Sequence, residues 1–276
     1  MLIANKSVQP ASVHPVPAVS AGSTAPSRHG RLWSSLSDVA KLLGIPAFVK
    51  DCDTLFQHIQ YKAGQRIHTI GQPFDMLYVV YSGFLKSVII DDSGYEQVVA
   101  FPMKGDLLGV DAIHGNVHAT EVVALTPCEL ILIPFKTLTA LGKAQPDLEV
   151  ALYGVMGREL AREQSLISAL GSLGAEARVA RFLTFMSSRF EEMGYSGKQF
   201  NLRMTREEIG NYLGLTLETI SRTLSAFAAA GLISVELRNV ILHDIPALKT
   251  LRRLPASARR KLNTTAANST DARAAA

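Results

Sequence analysis

Residues 205–224 read Thr205-Arg-Glu-Glu-Ile-Gly-Asn-Tyr-Leu-Gly-Leu-Thr-Leu-Glu-Thr-Ile-Ser-Arg-Thr-Leu224. Thr205 followed by Glu208 is a capping box, in which each side chain satisfies a free backbone donor at a helix start. Ile209 and Leu213 then form the buried face of a first helix. Gly214 falls where the chain must turn sharply, and glycine accepts a positive φ there. Thr216 is a second N-cap. Ile220 and Leu224, four apart, face the same core, and Leu217 helps fix the entry of the second helix. Two capped helices joined by a glycine turn at this spacing define a helix-turn-helix. The bland alternative is an ordinary two-helix corner with solvated polar residues.

The pattern leaves Glu218, Thr219, Ser221, Arg222 and Ser225 on the outward side of the second helix. In a helix-turn-helix the first turns of that helix enter the major groove. Arg222 can donate twice to guanine, Glu218 can accept from cytosine, and Ser221 can serve several base edges. Thr216, Thr219, Arg206 and Arg238 suit phosphates, which position without specifying. The sequence therefore predicts double-stranded DNA as a partner.

Downstream, 233–237 and 240–242 read as two short strands around Arg238-Asn239, a small wing. Arg252, Arg253, Arg259, Arg260 and Lys261 crowd the segment after it. They either add salt-dependent phosphate contacts or form a solvated tail. The tail, 251–276, reads as basic and largely disordered.

Upstream, a helix is expected over 175–190, and before it Pro146 opens a long helix to about residue 173. There Tyr153, Met156, Leu160, Glu163, Ile167 and Leu170 are spaced 3, 4, 3, 4, 3, the seam of a two-stranded coiled coil. This predicts a homodimer; the alternative is a helix packed only on its own domain. Glu163 within the seam would meet its own mate in a parallel dimer, and two like charges there weaken the association. A rotation of the helix toward solvent would remove that effect.

Between 56 and 135 short β-rich runs (77–81, 84–90, 97–101, 119–125 and 129–133) alternate with glycine turns, which implies an antiparallel sandwich or barrel. Leu36, Val39, Ala40 and Leu43 form a short helix before it, stopped by Gly44 and Pro46. Residues 1–30, rich in Ala, Ser, Pro and Val, carry no period and read as a disordered arm. The expected organisation is thus an α+β chain: arm 1–30, β domain 31–145, long helix 146–173 and winged helix-turn-helix 174–250.

The chain has 276 residues, 47% hydrophobic content and a net charge of +4. No apolar run approaches the ~18 residues of a membrane span, so no membrane partner is expected. The N-terminus shows no basic segment followed by an apolar core, so no secretory signal is expected. Two cysteines, Cys52 and Cys128, suit a reducing cytoplasm. They are either inert or redox-active. His114 and His118, four apart, offer a thin metal set, and no metal site is predicted. No phosphate loop, Ser/His/Asp set or metal cluster points to an enzyme.

Several stretches resemble the Crp/Fnr family of bacterial regulators: Tyr81-Ser-Gly-Phe-Leu-Lys86, Gly94-Tyr-Glu-Gln97, Gly105-Asp-Leu-Leu-Gly109, Ile133-Pro-Phe135 and the helix-turn-helix itself. The likeness covers about 32–250. It implies a cyclic-nucleotide-binding-like β-roll, a dimerisation helix and a winged helix-turn-helix. Glu218-Thr-Ile-Ser-Arg222 resembles the Glu-x-x-Ser-Arg signature of the Fnr branch, which implies an inverted repeat of TTGAT half-sites. Leu217 stands where the cyclic-AMP branch has Arg. Asp91, Asp92, Tyr95 and Glu96 form a polar hairpin that, by the resemblance, touches RNA polymerase; a solvated turn is the other reading.

Two cofactors implied by the resemblance are not expected. Where the cyclic-nucleotide branch has Gly-Glu-Leu and Arg-Ser, this chain has Gly109-Val110-Asp111 and His118-Ala119-Thr120. No Arg or Lys lies between Lys104 and Lys136, so a buried cyclic-AMP phosphate would lack a counter-charge. Resemblance to the Fnr branch implies an iron–sulfur cluster on four thiolates, three from an N-terminal segment and one from the β-roll; here Ile131 falls at the β-roll ligand, Cys128 is three residues away, and no cysteine precedes Cys52. An alternative function is an effector-binding regulatory module acting on a protein partner.

Overall fold

The computed structural model describes residues 32–45, 50 and 52–253. The arm expected over 1–30 and the tail beyond 253 lie outside the described residues. The chain runs β1 (Trp33–Ser35), α1 (Leu36–Leu42), β2 (Leu55–Tyr61), β3 (Arg66–His68), β4 (Met76–Ser82), β5 (Leu85–Ile90), β6 (Glu96–Ala100), β7 (Leu107–Leu108), β8 (Glu121–Ala124) and β9 (Cys128–Pro134). Then follow α2 (Phe135–Ala144), α3 (Pro146–Ser172), α4 (Ala175–Glu192), β10 (Gln199–Asn201), α5 (Arg206–Leu213), α6 (Leu217–Ala229), β11 (Ile233–Glu236), β12 (Asn239–Leu242) and α7 (Ile245–Thr250).

The first nine strands build two antiparallel sheets, ordered β1-β2-β9-β4-β7 and β3-β8-β5-β6. The five expected runs are β4, β5, β6, β8 and β9. The other four strands carry weaker signals: β3 and β7 span only a few residues, and β2 interleaves His58 and Gln60 with apolar side chains. Alternation along β9 divides two cores. Cys128 and Leu130 pack with Val80, Leu85 and Val122. Ile131 and Ile133 pack with Phe56, Leu77 and Val79 beneath α1 and α3. Burial on both faces explains why β4 and β9 read as nearly continuous apolar runs.

Helix α3 begins at Pro146 in its first turn, where the missing N–H costs nothing. Leu148, Leu152 and Val155 bury into the roll. Val150, Tyr153, Leu160 and Ile167 lie outside this buried face, each more than half exposed. Met156 and Leu170 are half-buried and Glu163 is exposed.

The helix-turn-helix half is docked on the roll. Val88, Val98, Phe101 and Met103 share one apolar core with Phe182, Ile209, Leu213 and Phe227. Edge strand β6 is closed by α5: the Asn211 Oδ1 accepts the Val98 N–H at 2.5 Å, and its Nδ2 donates to the Glu96 carbonyl at 2.7 Å. The Gln97 Nε2 donates to the Asn211 carbonyl at 2.6 Å. A side-chain amide thus takes the place of a further strand, which leaves that part of the edge unavailable for pairing. The buried Asp106 carboxylate accepts from Arg189 at 2.6 Å and Arg162 at 2.9 Å, joining the roll to α4 and α3. Charges buried this way are tolerated because each is paired and hydrogen-bonded.

Candidate nucleic-acid interface

The capping box forms as read: Thr205 Oγ1 accepts the Glu208 N–H at 3.1 Å, and Glu208 accepts the Thr205 N–H at 2.8 Å. Gly214 ends α5 at φ +61°, a left-handed conformation that glycine adopts without strain. Thr216 caps α6 by accepting the Thr219 N–H at 3.2 Å. Ile209, Leu213, Ile220 and Leu224 are buried. The close approach of the turn to α5 depends on a glycine the sequence reading passed over. A Cβ at Gly210 would sit 2.6 Å from the Leu215 carbonyl oxygen.

Glu218 and Arg222 are exposed on α6 and Ser221 is half-buried between them. The Glu218 carboxyl is held below the usual range by hydrogen bonds from its own N–H and from the Thr216 hydroxyl, with Arg222 adding attraction. It is therefore ionised and acts only as an acceptor. Arg206, from α5, reaches Ser221 Oγ at 3.4 Å, so one expected phosphate ligand lies beside an expected base reader. Thr216 and Thr219 hydroxyls stand 3.0 Å apart at the start of α6. Arg238 lies on the wing and donates to the Arg203 carbonyl at 3.0 Å.

The wing differs from its expected bounds. Glu236 pairs with Asn239, so Leu237 and Arg238 form the turn. Leu237 is at φ +52° and 88% exposed, an unusual state for a bulky apolar residue. β10 adds a third strand beside β12. Its three residues alternate exposed, buried, exposed, too short a run to stand out in sequence. The polar hairpin places Tyr95 and Glu96 against Asn211, with the Tyr95 hydroxyl accepting from it at 3.2 Å, while Asp91 and Asp92 stay exposed.

A cavity of about 480 Å³ lies where the roll, α3 and α5 meet. Ser87, Phe101, Asp111, Thr120 and Tyr212 line it, with Met156, Leu160 and Glu163 from α3. Burial pushes the Tyr212 hydroxyl up to about 12, so it remains a neutral donor. The Glu159 carboxyl on the same wall is raised by burial and by Asp106.

A β-roll joined by a long helix to a winged helix-turn-helix defines the architecture of a DNA-binding regulator. Residues 177–251 match the Crp-like helix-turn-helix domain and 58–145 match the cyclic nucleotide-binding domain. The chain is 37% identical over 218 residues to the transcriptional regulatory protein btr of Bordetella pertussis, covering 78% of this chain and 90% of that one. It is 38% identical over 188 residues to the fumarate and nitrate reduction regulatory protein of Escherichia coli, covering 68% and 75%. The solved structure of FixK2 from Bradyrhizobium japonicum aligns with a TM-score of 0.67 at 27% identity, over 74% of this chain and all of that one. The chain belongs to the Crp/Fnr family of transcription regulators.

The residues present do not fit a cyclic nucleotide. Asp111 Oδ2 already accepts the N–H groups of Ala119 at 2.8 Å and Thr120 at 2.9 Å, and the Thr120 hydroxyl at 3.1 Å. A phosphate at these donors would compete with a fixed carboxylate and meet its charge. The one cation on that wall, Arg162, is engaged by Asp106 and Glu159.

An iron–sulfur cluster does not fit either. Ile131 is 1% exposed, and Cys128, an odd number of positions away, points into the other core. Burial raises the Cys128 thiol, which donates to the Phe84 carbonyl at 3.3 Å. A protonated thiol is a poor metal ligand.

The two histidines singled out by spacing are not brought together. His114 is exposed, while His118 is buried and stacks on His68 at 3.8 Å between ring centroids. Near-parallel stacked rings direct their in-plane nitrogen lone pairs into separate planes, so the pair cannot share a metal. Among the described residues no helix is long and apolar enough to cross a membrane.

Proposed function

We propose that this protein is a sequence-specific regulator of transcription that binds an inverted TTGAT-type repeat as a homodimer and contacts RNA polymerase. The observation that carries this reading is the outward edge of α6, where Glu218 and Arg222 are exposed and make no bond to the rest of the described fold other than the Glu218–Thr216 cap. Ser221 and Arg222 then read base edges beside Glu218, and Arg206, Thr216, Thr219 and Arg238 hold phosphates. Likeness to a relative named as a transcriptional regulatory protein and another named as a fumarate and nitrate reduction regulatory protein supports the same reading.

The homodimer rests on α3. Tyr153, Leu160 and Ile167 are seven apart along α3 and exposed. A continuous apolar stripe of this kind on a 27-residue helix suits a second copy of the same helix. Met156 and Glu163 flank it on the wall of the junction cavity, and Leu170 lies beside the Gly214 turn. Two copies related by a two-fold axis present two α6 helices to successive major-groove faces, which matches an inverted repeat. Asp91 and Asp92 at the tip of the hairpin are the surface offered to RNA polymerase.

The test is anisotropy or gel shift of the full chain on a TTGAT-N4-ATCAA duplex, a TGTGA-type duplex and a scrambled one. Tightest binding to the first, with one dimer per duplex, is expected. Equal affinity for all three would overturn the base-reading assignment. No DNA binding at all would favour a regulatory module that acts on a protein partner.

A further inference from the structure

A second and larger recess, about 790 Å³, opens on the roll between α1, β2, β4 and the middle of α3. It lies apart from α6, and it meets the junction cavity only at Glu159 and Arg162, which border both. Five cations stand on its walls. Arg162 and Arg189 are engaged with Asp106, Glu159 and Glu192. Lys41, Lys104 and Arg158 have no carboxylate partner among the described residues. Arg158 gives one Nη to the Leu43 carbonyl, leaving the rest of its donor fork to the groove. The remaining acid on this rim, Asp38, is held in the cap of α1 by the Ser35 N–H and hydroxyl at 3.2 and 3.0 Å.

Two aromatic rings stand on the same groove. Trp33 is 48% exposed and Tyr81 is 42% exposed. His58 beneath them meets the Tyr81 ring edge-on at 4.9 Å and is fixed by Ser34 at 2.8 Å and Glu129 at 2.5 Å. The Nε of Arg189, whose side chain is 7% exposed, has no hydrogen-bond partner among the described residues. A buried donor left without an acceptor is unfavourable unless something supplies one.

Unpaired Lys and Arg side chains recognise phosphate oxygens, and open aromatic faces take flat rings by stacking. A single groove that offers both suits a ligand carrying both. We propose that this groove binds a nucleotide of the nucleoside diphosphate class, with its phosphates on Lys104, Arg158 and Lys41 and its base against Trp33 and Tyr81. The junction cavity, with its Asp111 carboxylate already on the backbone amides, does not compete for this ligand.

Trp33 is the chain's one tryptophan, so its fluorescence reports this groove and no other. The full chain, without DNA, is titrated with adenosine diphosphate, inorganic pyrophosphate and adenosine, reading Trp33 emission and, in parallel, calorimetric heat. A saturable change with adenosine diphosphate is expected, with pyrophosphate and adenosine each weaker by at least about tenfold. The Lys104→Gln/Arg158→Gln double variant should lose at least about tenfold in affinity for the diphosphate. Its near-UV dichroism and DNA affinity should match the parent. No saturable signal and no heat with the parent protein would overturn the proposal, as would a folded double variant that binds the diphosphate unchanged. Pyrophosphate binding as tightly as the nucleotide would overturn the assignment of the aromatic wall. Because DNA is absent from the titration, this outcome is independent of whether the protein reads TTGAT sites.

Discussion

Helix α6 and the junction cavity are built in opposite ways. Glu218, Ser221 and Arg222 come from one turn of α6, and their geometry follows from two caps and a glycine turn within a short stretch of chain. Ser87, Phe101, Asp111, Thr120, Glu163 and Tyr212 come from six separate segments and meet only after the sheets, α3 and α5 have packed. The first surface tolerates changes elsewhere as long as the corner folds. The second depends on every interface of the molecule.

The largest expected effect breaks the corner itself. Gly210→Val puts a branched side chain against the Leu215 carbonyl, where even a Cβ would lie at 2.6 Å. A loss of about 3 kcal/mol in unfolding stability is expected by denaturant titration, with DNA binding abolished. Gly214→Ala, strained only in φ, should cost about 1–2 kcal/mol. Equal costs for the two would show that the turn relaxes away from α5.

Acid should strike the roll before it strikes the corner. His68 is lowered to about 4, chiefly by burial and also by the neighbouring His118, with Asp111, the Thr120 carbonyl and Glu121 opposing the shift. His118 is also lowered, chiefly by burial. Because the folded-state values are depressed, the folded form binds protons less well than the unfolded chain. Stability is full above about pH 6.5 and falls as pH drops toward 4, by up to about 3 kcal/mol from His68 alone. Thermal melts across that range should show the slope, and His68→Gln should flatten it. An unchanged slope in the variant would place the titrating group elsewhere.

A smaller effect sharpens the reading edge. Arg222→Ala should lose about 1–3 kcal/mol of binding on the TTGAT duplex and relax discrimination at one base pair. Equal weakening on every duplex in a competition series would make Arg222 a phosphate contact instead.

The smallest effect concerns the seam. Glu163→Leu should tighten dimerisation by a few-fold in sedimentation equilibrium, because a charge beside the apolar stripe is removed. Leu160→Glu, on the exposed stripe itself, should do the reverse more strongly. If Glu163→Leu leaves the dimer affinity untouched, Glu163 acts only at the cavity.

Much of the fold was legible because its signals are local. Thr205 with Glu208, Gly214 and Thr216 announce two helix starts and a turn within hydrogen-bond range of neighbours in sequence. Pro146 and the heptad spacing announced α3. What escaped was short or non-local. β7 has two residues, and α2 follows Pro134 as its N-cap with no side-chain cap. Gly210 looks like a poor helix residue until the Leu215 carbonyl is seen against it. His114 and His118 look paired by spacing, but a single 3₁₀ turn at Val110–Ala112 and a bridge between Pro73 and Val117 carry His118 inward onto His68.

The sequence by itself determined the two helices of the corner, their caps, the apolar spacing of α3 and the two-cysteine composition that leaves a four-thiolate site unsupplied. Each of these depends on periods of a few residues or on composition, which no packing can alter. Only the tertiary structure decided which side of β9 holds Cys128, that Asp111 occupies the amides of Ala119 and Thr120, that Asn211 closes the edge of β6, and that Trp33 shares a groove with Lys104 and Arg158. These are meetings between side chains far apart along the chain. Their partners are selected by sheet register, strand parity and helix docking, and those are set by burial of the whole core at once.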